Sequence, residues 1–166
     1  MALPLGAWAA GAYAPPLSTA IRRMKFGQRT DLADRLSALL PRVPLSKGVL
    51  VVPVPLHLVR LVERGFNPPA LLARGWCREV GGELAPWALE RWRETPHQSK
   101  LSARERAHNV VGAFVAHEGA AGRHAILLDD VITTGATLDA CRRALYAAGV
   151  VHVSVVALAA TPPAER

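Results

Sequence analysis

Residues 125–145 read AILLDDVITTGATLDACRRAL, and three unlike features follow one another there. An apolar run, Ile126-Leu127-Leu128, ends in two adjacent carboxylates, Asp129 and Asp130. A Thr/Gly loop comes next, TTGAT over 133–137. Then Leu138, Cys141 and Leu145 recur at helical spacing, and Gly149 stands where a helix end favours a left-handed residue. An apolar run without polar alternation predicts a strand buried on both faces, which belongs in a parallel sheet. In open α/β sheets the ligand crevice lies beyond the carboxyl ends of the strands. Asp129 and Asp130 are therefore expected at that end, with the loop leading straight into a helix N-terminus.

Such a loop suits an anion. The first N–H groups of a helix have no partners within it, and the helix dipole adds positive potential there. Thr133, Thr134 and Thr137 supply hydroxyl donors, and Gly135 with Ala136 lets the backbone come close. Together they predict a cradle for one phosphate. Neither the G-x-x-x-x-G-K-[ST] loop nor a G-x-G-x-x-G after a strand occurs in the chain. The two carboxylates are suited to accept hydrogen bonds from vicinal hydroxyls, or to help hold Mg²⁺. The stretch as a whole reads as a site for a ribose 5-phosphate.

Outward from there, the chain alternates strands and helices, which predicts an α/β fold with parallel crossovers. VLVVPV at 49–54 and VHVSVVALAA at 151–160 are further buried strands; GAFVAH at 112–117 is a short one and 83–89 a weaker one. Helices are expected over 17–25 and 30–40. In the second, Thr30 caps the start and Leu32, Leu36, Leu39 and Leu40 form the apolar side. Asn67 is placed to cap a helix that opens with Pro68-Pro69 and carries Leu71, Leu72 and Trp76 on one side. Residues 91–110 are polar and strongly basic.

The length of 166 residues predicts one domain over 1–166, with 1–45 as an N-terminal helical hood and 46–160 as the core. Half the residues are apolar, enough for a real core. The net charge of +7 favours a phosphorylated or polyanionic partner. With aromatics at 5 %, stacking platforms for nucleic acid are not prominent. Cys77 and Cys141 are far apart, which excludes a disulfide framework and a zinc ribbon and predicts two reduced thiols. The apolar start, MALPLGAWAAGAYAPP, mimics a signal cleavage site but has no Lys or Arg before it and is interrupted by Pro4 and Gly6. No run approaches the ~20 apolar residues of a membrane span. A cytoplasmic location without membrane contact is expected. The six histidines form no metal-ligand spacing.

ILLDDVITTGAT resembles the signature of the type I phosphoribosyltransferases, which bind 5-phosphoribosyl 1-pyrophosphate (PRPP). KFGQRTDLADRL at 25–36, VVPVPLHLVRLVERGFN at 51–67 and TPHQSKLSARERAHNVVGAF at 95–114 stand in the order seen in the ComF family. That family comprises competence-associated proteins with a type I phosphoribosyltransferase domain. The resemblance spans about residues 13–160. It implies that Asp129 and Asp130 meet the ribose 2′ and 3′ hydroxyls and that 133–137 wrap the 5-phosphate. It also implies that the turn Val54-Pro55-Leu56-His57 faces the pyrophosphate and that 93–110 form a lid. The implied fold is a Rossmann-like, mainly parallel sheet flanked by helices, the type I phosphoribosyltransferase fold. Many members carry a four-cysteine zinc ribbon that this chain lacks, so zinc is not expected. They often read RGFNQ, where Pro68 follows Asn67 here.

Phosphoribosyl transfer breaks the bond from C1 to the pyrophosphate oxygen while a nucleophile attacks C1. Mg²⁺ and cations around the leaving group would stabilise its growing charge. Arg60, Arg64, Lys100, Arg104 and Arg106 are the candidates. No pattern for a base acceptor is legible. Three readings follow: a phosphoribosyltransferase with an unknown acceptor; a non-catalytic PRPP-binding regulatory protein; and a DNA-uptake accessory that touches single-stranded DNA, a helicase-like partner or other competence proteins. The third is compatible with either of the others.

Overall fold

The computed structural model describes residues 6–93 and 112–161. A five-stranded, wholly parallel sheet forms its centre, in the order β1-β7-β6-β2-β3. Its strands are β1 (Ala7–Ala12), β2 (Leu50–Pro53), β3 (Glu83–Leu84), β6 (His124–Ile132) and β7 (His152–Ala160). A small antiparallel pair, β4 (Leu89–Arg91) with β5 (Phe114–Ala116), stands apart from it. The helices are α1 (Leu17–Phe26), α2 (Leu32–Ser37), α3 (Leu58–Arg64), α4 (Pro68–Val80) and α5 (Ala136–Ala147). The architecture is the expected α/β, Rossmann-like one.

Side-chain alternation splits the sheet into two packed faces. Leu50, Val52, Leu127 and Val155 point to the side where Leu138, Cys141 and Leu145 of α5 cover them. Val51, Ile126, Leu128 and Val156 point to the other side, under Ile21 and Met24 of α1, Leu36 of α2, and Leu72 and Trp76 of α4. The connection from β2 to β3 therefore packs α4 on one face, and that from β6 to β7 packs α5 on the other. β2 and β6 are neighbours whose chains depart in opposite directions. Their carboxyl ends form the switch point at which such sheets open a crevice.

Gly75 of α4 lets α2 come close. A Cβ there would stand 2.2 Å from Ser37 Oγ and 2.7 Å from Ser37 Cβ. Alanine would gain about 1 kcal/mol of helix propensity, but the overlap between two packed helices costs about 1–3 kcal/mol. Gly75→Ala is expected to lower stability by up to about 2 kcal/mol net, checked by urea unfolding.

Several local expectations change. Residues 7–12, within the segment expected to be a helical hood, form an edge strand paired with β7 from Ala7↔Val155 to Ala12↔Ala160. The segment 83–89 divides into β3, a 3₁₀ turn at Pro86–Ala88 and the start of β4. α2 ends at Ser37, and tighter bonds from Leu39 N to Leu36 O and from Leu40 N to Ser37 O lead into Pro41. Leu39 is consequently exposed while Leu36 and Leu40 are buried. Thr30 is not the cap, since Asp31 takes that position. Gly149 ends α5 with φ +86°, as its placement predicted.

Candidate functional site

A cleft of about 320 Å³ opens at the carboxyl ends of β2 and β6. Val54, Pro55 and Leu56 line it from the first strand, Asp129 and Asp130 from the second, and Thr133, Gly135 and Thr137 from the loop. The ladder continues past β2, as Val54 N–H donates to the Leu128 carbonyl at 2.9 Å. Asn67 fixes the same turn from outside: its Nδ2 donates to the Val54 carbonyl at 3.1 Å. It stands at the N-cap of α4 without a side-chain cap, since Pro68 and Pro69 of the first turn have no N–H to donate and its Nδ2 serves the turn after β2.

β6 runs four residues beyond Leu128, so the carboxylates lie within the strand and not after it. Alternation then sends them to opposite faces. Asp130 continues the row of Ile126 and Leu128 toward α1, where Lys25 Nζ stands 2.7 Å from its Oδ2. Asp129 continues the row of Ala125 and Leu127 toward α5. Its Oδ1 accepts the Asp130 N–H at 2.8 Å. At the sheet's end both still reach the cleft.

Burial, and after it the charge of Asp130, raises the Asp129 carboxyl from 3.8 to about 7. The folded chain thus keeps a proton there that the unfolded chain releases near pH 4. Stability falls as pH rises from about 4 to 7, since the native state binds more protons across that window. The full shift corresponds to about 4 kcal/mol, and partial exposure of the group reduces it to about 2 kcal/mol. In metal-free buffer, Asp129→Asn is expected to melt about 4–8 °C above the parent at pH 8 and level with it at pH 4.

The loop leads straight into the start of α5. Gly135 is left-handed (φ +79°) and sits at the N-cap of α5, and among the described residues no atom beyond its chain neighbours lies within 4 Å of where its Cβ would be. Its carbonyl accepts the first helical bond, from Asp139 N–H at 2.9 Å. Thr134 and Ala136 do not line the cleft; Thr134 Oγ1 faces the Ala136 N–H at 3.5 Å.

The cations are arranged differently from the expectation. Arg64 lines the cleft and lies over the Phe26 ring, 5.3 Å from its centroid. Arg60 is outside the lining and 3.9 Å from Glu63. His57 is outside it too, because its Nδ1 accepts the Val59 N–H at 3.3 Å and so caps α3. Lys100, Arg104 and Arg106 lie outside the described residues. The polar lining residues that escaped the sequence reading are Tyr13, Lys25 and Arg91. Lys25 opens the KFGQRTD block, which was the available signal. Arg91 comes from β4, with its guanidinium 5.5 Å from the Phe114 ring centroid, and its burial lowers its proton affinity.

Cys141 is buried close enough to Asp129 and Arg91 for their charges to act on its thiol. Cys77 and Cys141 are free, and burial pushes Cys77 up to about 11. Among the described residues, no helix is long and apolar enough to cross a membrane.

A parallel α/β sheet with a glycine loop at a helix start and two carboxylates at its switch point belongs to the doubly wound class, which binds ligands there and hosts many unrelated functions. No family model matches the chain. Curated relatives are more specific. The DNA utilization protein YhgH of Escherichia coli K12 is 36 % identical over 157 residues, which cover 90 % of this chain and 69 % of that protein. Competence protein F of Haemophilus influenzae is 32 % identical over 160 residues, covering 90 % and 70 %. Competence protein ComFC of Bacillus subtilis is 33 % identical over 121 residues, covering 73 % and 46 %. The chain belongs to the ComF family. Solved structures that match part of the chain include the glutamine PRPP amidotransferase from B. subtilis complexed with ADP and GMP. That match has a TM-score of 0.47 and 19 % identity, over 76 % of this chain and 25 % of that one. Another, described as the allosteric regulatory enzyme of purine biosynthesis, matches with a TM-score of 0.46 and 22 % identity, over 78 % and 25 %. At that distance no activity passes from them to this chain.

Proposed function

We propose that this chain binds PRPP in the cleft and transfers its phosphoribosyl group to an acceptor, in a setting linked to DNA uptake. One observation carries the reading: Gly135 at the start of α5 and the Asp129/Asp130 pair line a single cleft at the switch point. A 5-phosphate would take the N–H groups of the loop and helix start. The sugar hydroxyls would donate to the carboxylates. The pyrophosphate would lie along Val54–Leu56, within reach of Arg64 and Arg91.

In the transfer the bond from C1 to the pyrophosphate oxygen breaks as the acceptor's lone pair attacks C1. The chain's own part is to orient the sugar and to meet the leaving group's charge with guanidinium groups. As a free resident ion Mg²⁺ fits poorly, because Lys25 already neutralises Asp130. As an ion carried on the pyrophosphate it fits, and there it would stabilise the departing charge.

Calorimetric titration with PRPP, with and without Mg²⁺, tests the reading. Mg²⁺-dependent binding is the expected result. Absence of binding in both conditions would overturn it. A non-catalytic accessory role is favoured by a different observation, the net charge of +7 beside exposed Trp87 and Trp92. That role predicts binding of single-stranded DNA that weakens steeply with salt.

A further inference from the structure

The Lys25 ammonium stands 2.7 Å from Asp130 Oδ2, and the two side chains are 21 % and 8 % exposed. This is not a long surface chain that happens to fall near a carboxylate. Ile21, Met24 and Lys25 follow one another at i, i+3 and i+4 on α1, and the first two are fully buried against the sheet. The lysine stem extends that buried stripe and delivers its charge to the end of β6. The next residue, Phe26, lies under Arg64, which joins the same turn to α3.

Two neighbouring carboxylates at the mouth of a cleft are hard oxygen donors of the sort that attract a divalent ion. Here the space beside one of them is filled by a cation belonging to the fold. We propose that Lys25 is a positioning residue of the sugar site: it holds Asp130 in place as a hydrogen-bond acceptor and keeps free divalent metal off the carboxylate pair. The inference rests on the PRPP reading for what the site binds, but its metal half stands on the ion pair alone. Asp130 gives one oxygen to Lys25 and keeps lone pairs for a ligand's hydroxyls. Metal then enters with the pyrophosphate and not ahead of it.

Mn²⁺ with the protein alone, followed by electron paramagnetic resonance, is the probe of the metal half. Wild type is expected to leave millimolar Mn²⁺ free, K25M to bind it, and K25M/D130N to lose that gain. K25Q keeps an N–H donor toward Asp130 without the charge, and makes the same test if K25M does not fold. In PRPP calorimetry K25M is expected to lose about tenfold or more in affinity, with K25R, which keeps the charge, recovering most of it. Wild type binding Mn²⁺ as tightly as K25M would overturn the proposal, and so would K25M binding PRPP as tightly as wild type. If wild type takes up no PRPP at all, the sugar-phosphate reading falls, while the Mn²⁺ comparison still decides what Lys25 does.

Discussion

Replacing Asp129 and Asp130 together by asparagine is expected to weaken PRPP binding by about two to four orders of magnitude. A hydrogen bond to a charged group contributes about 1.5–3 kcal/mol, so losing two such acceptors removes about 3–6 kcal/mol. An amide also presents N–H groups where the sugar needs acceptors, which adds mismatch to the loss of charge. The fold should survive. Both core clusters close without either carboxylate. Asparagine at 129 relieves the charge penalty, which offsets part of the loss of the Lys25–Asp130 pair. Calorimetry and a thermal melt on the same preparation separate the two effects. A double variant that binds PRPP as tightly as the parent would show that the sugar does not meet this pair.

Gly135→Val carries the second large expected effect, a loss of about 100-fold in PRPP affinity. The left-handed backbone at φ +79° costs a residue with a Cβ about 1–2 kcal/mol, and a β-branched one more. Among the described residues no atom beyond the chain neighbours lies within 4 Å of the new Cβ, so they leave no clash to resolve. Damage to stability should be limited to that backbone strain. A ligand phosphate seated on the loop has no such freedom, because the methyl groups stand beside the N–H groups it needs. Gly135→Ala should fall between valine and wild type. Both variants keeping full affinity while losing stability would place the phosphate elsewhere.

Most of the central sheet was legible because burial on both faces leaves a plain trace. Val51, Leu127, Leu128 and Val156 are all fully buried, and each sits in a run without polar interruption. β1 left no such trace. AWAAGA is small, half-exposed and poor in β-formers, and it is a strand only because β7 lies beside it. The same logic extends β6 through two aspartates: pairing of Asp129 with Ala157 and Val131 with Ala159 overrides the local dislike of carboxylates for strands. In the site, the glycine loop and the Asp pair form one short local motif and could be read directly. The ion pair of Lys25 with Asp130 could not, since its partners are over a hundred residues apart. His57 was misplaced because a histidine beside a turn gives no sign that its ring will cap the next helix. Asn67 stands at the N-cap of α4 as its position suggested, but its side chain serves a carbonyl thirteen residues away, which position alone does not reveal.

The pairing of β1 with β7 ties the first strand of the fold to its last. A ribosome delivers β1 well before β7, so β1 emerges without its partner and waits for the residues between them to be made. Its closure spans the largest sequence separation among the described strand pairs and belongs to the slow, non-local part of folding. Until then an uncharged, proline-free strand has an open edge on which another nascent chain can pair. The interval between the emergence of β1 and that of β7 is when this edge is open to mispairing.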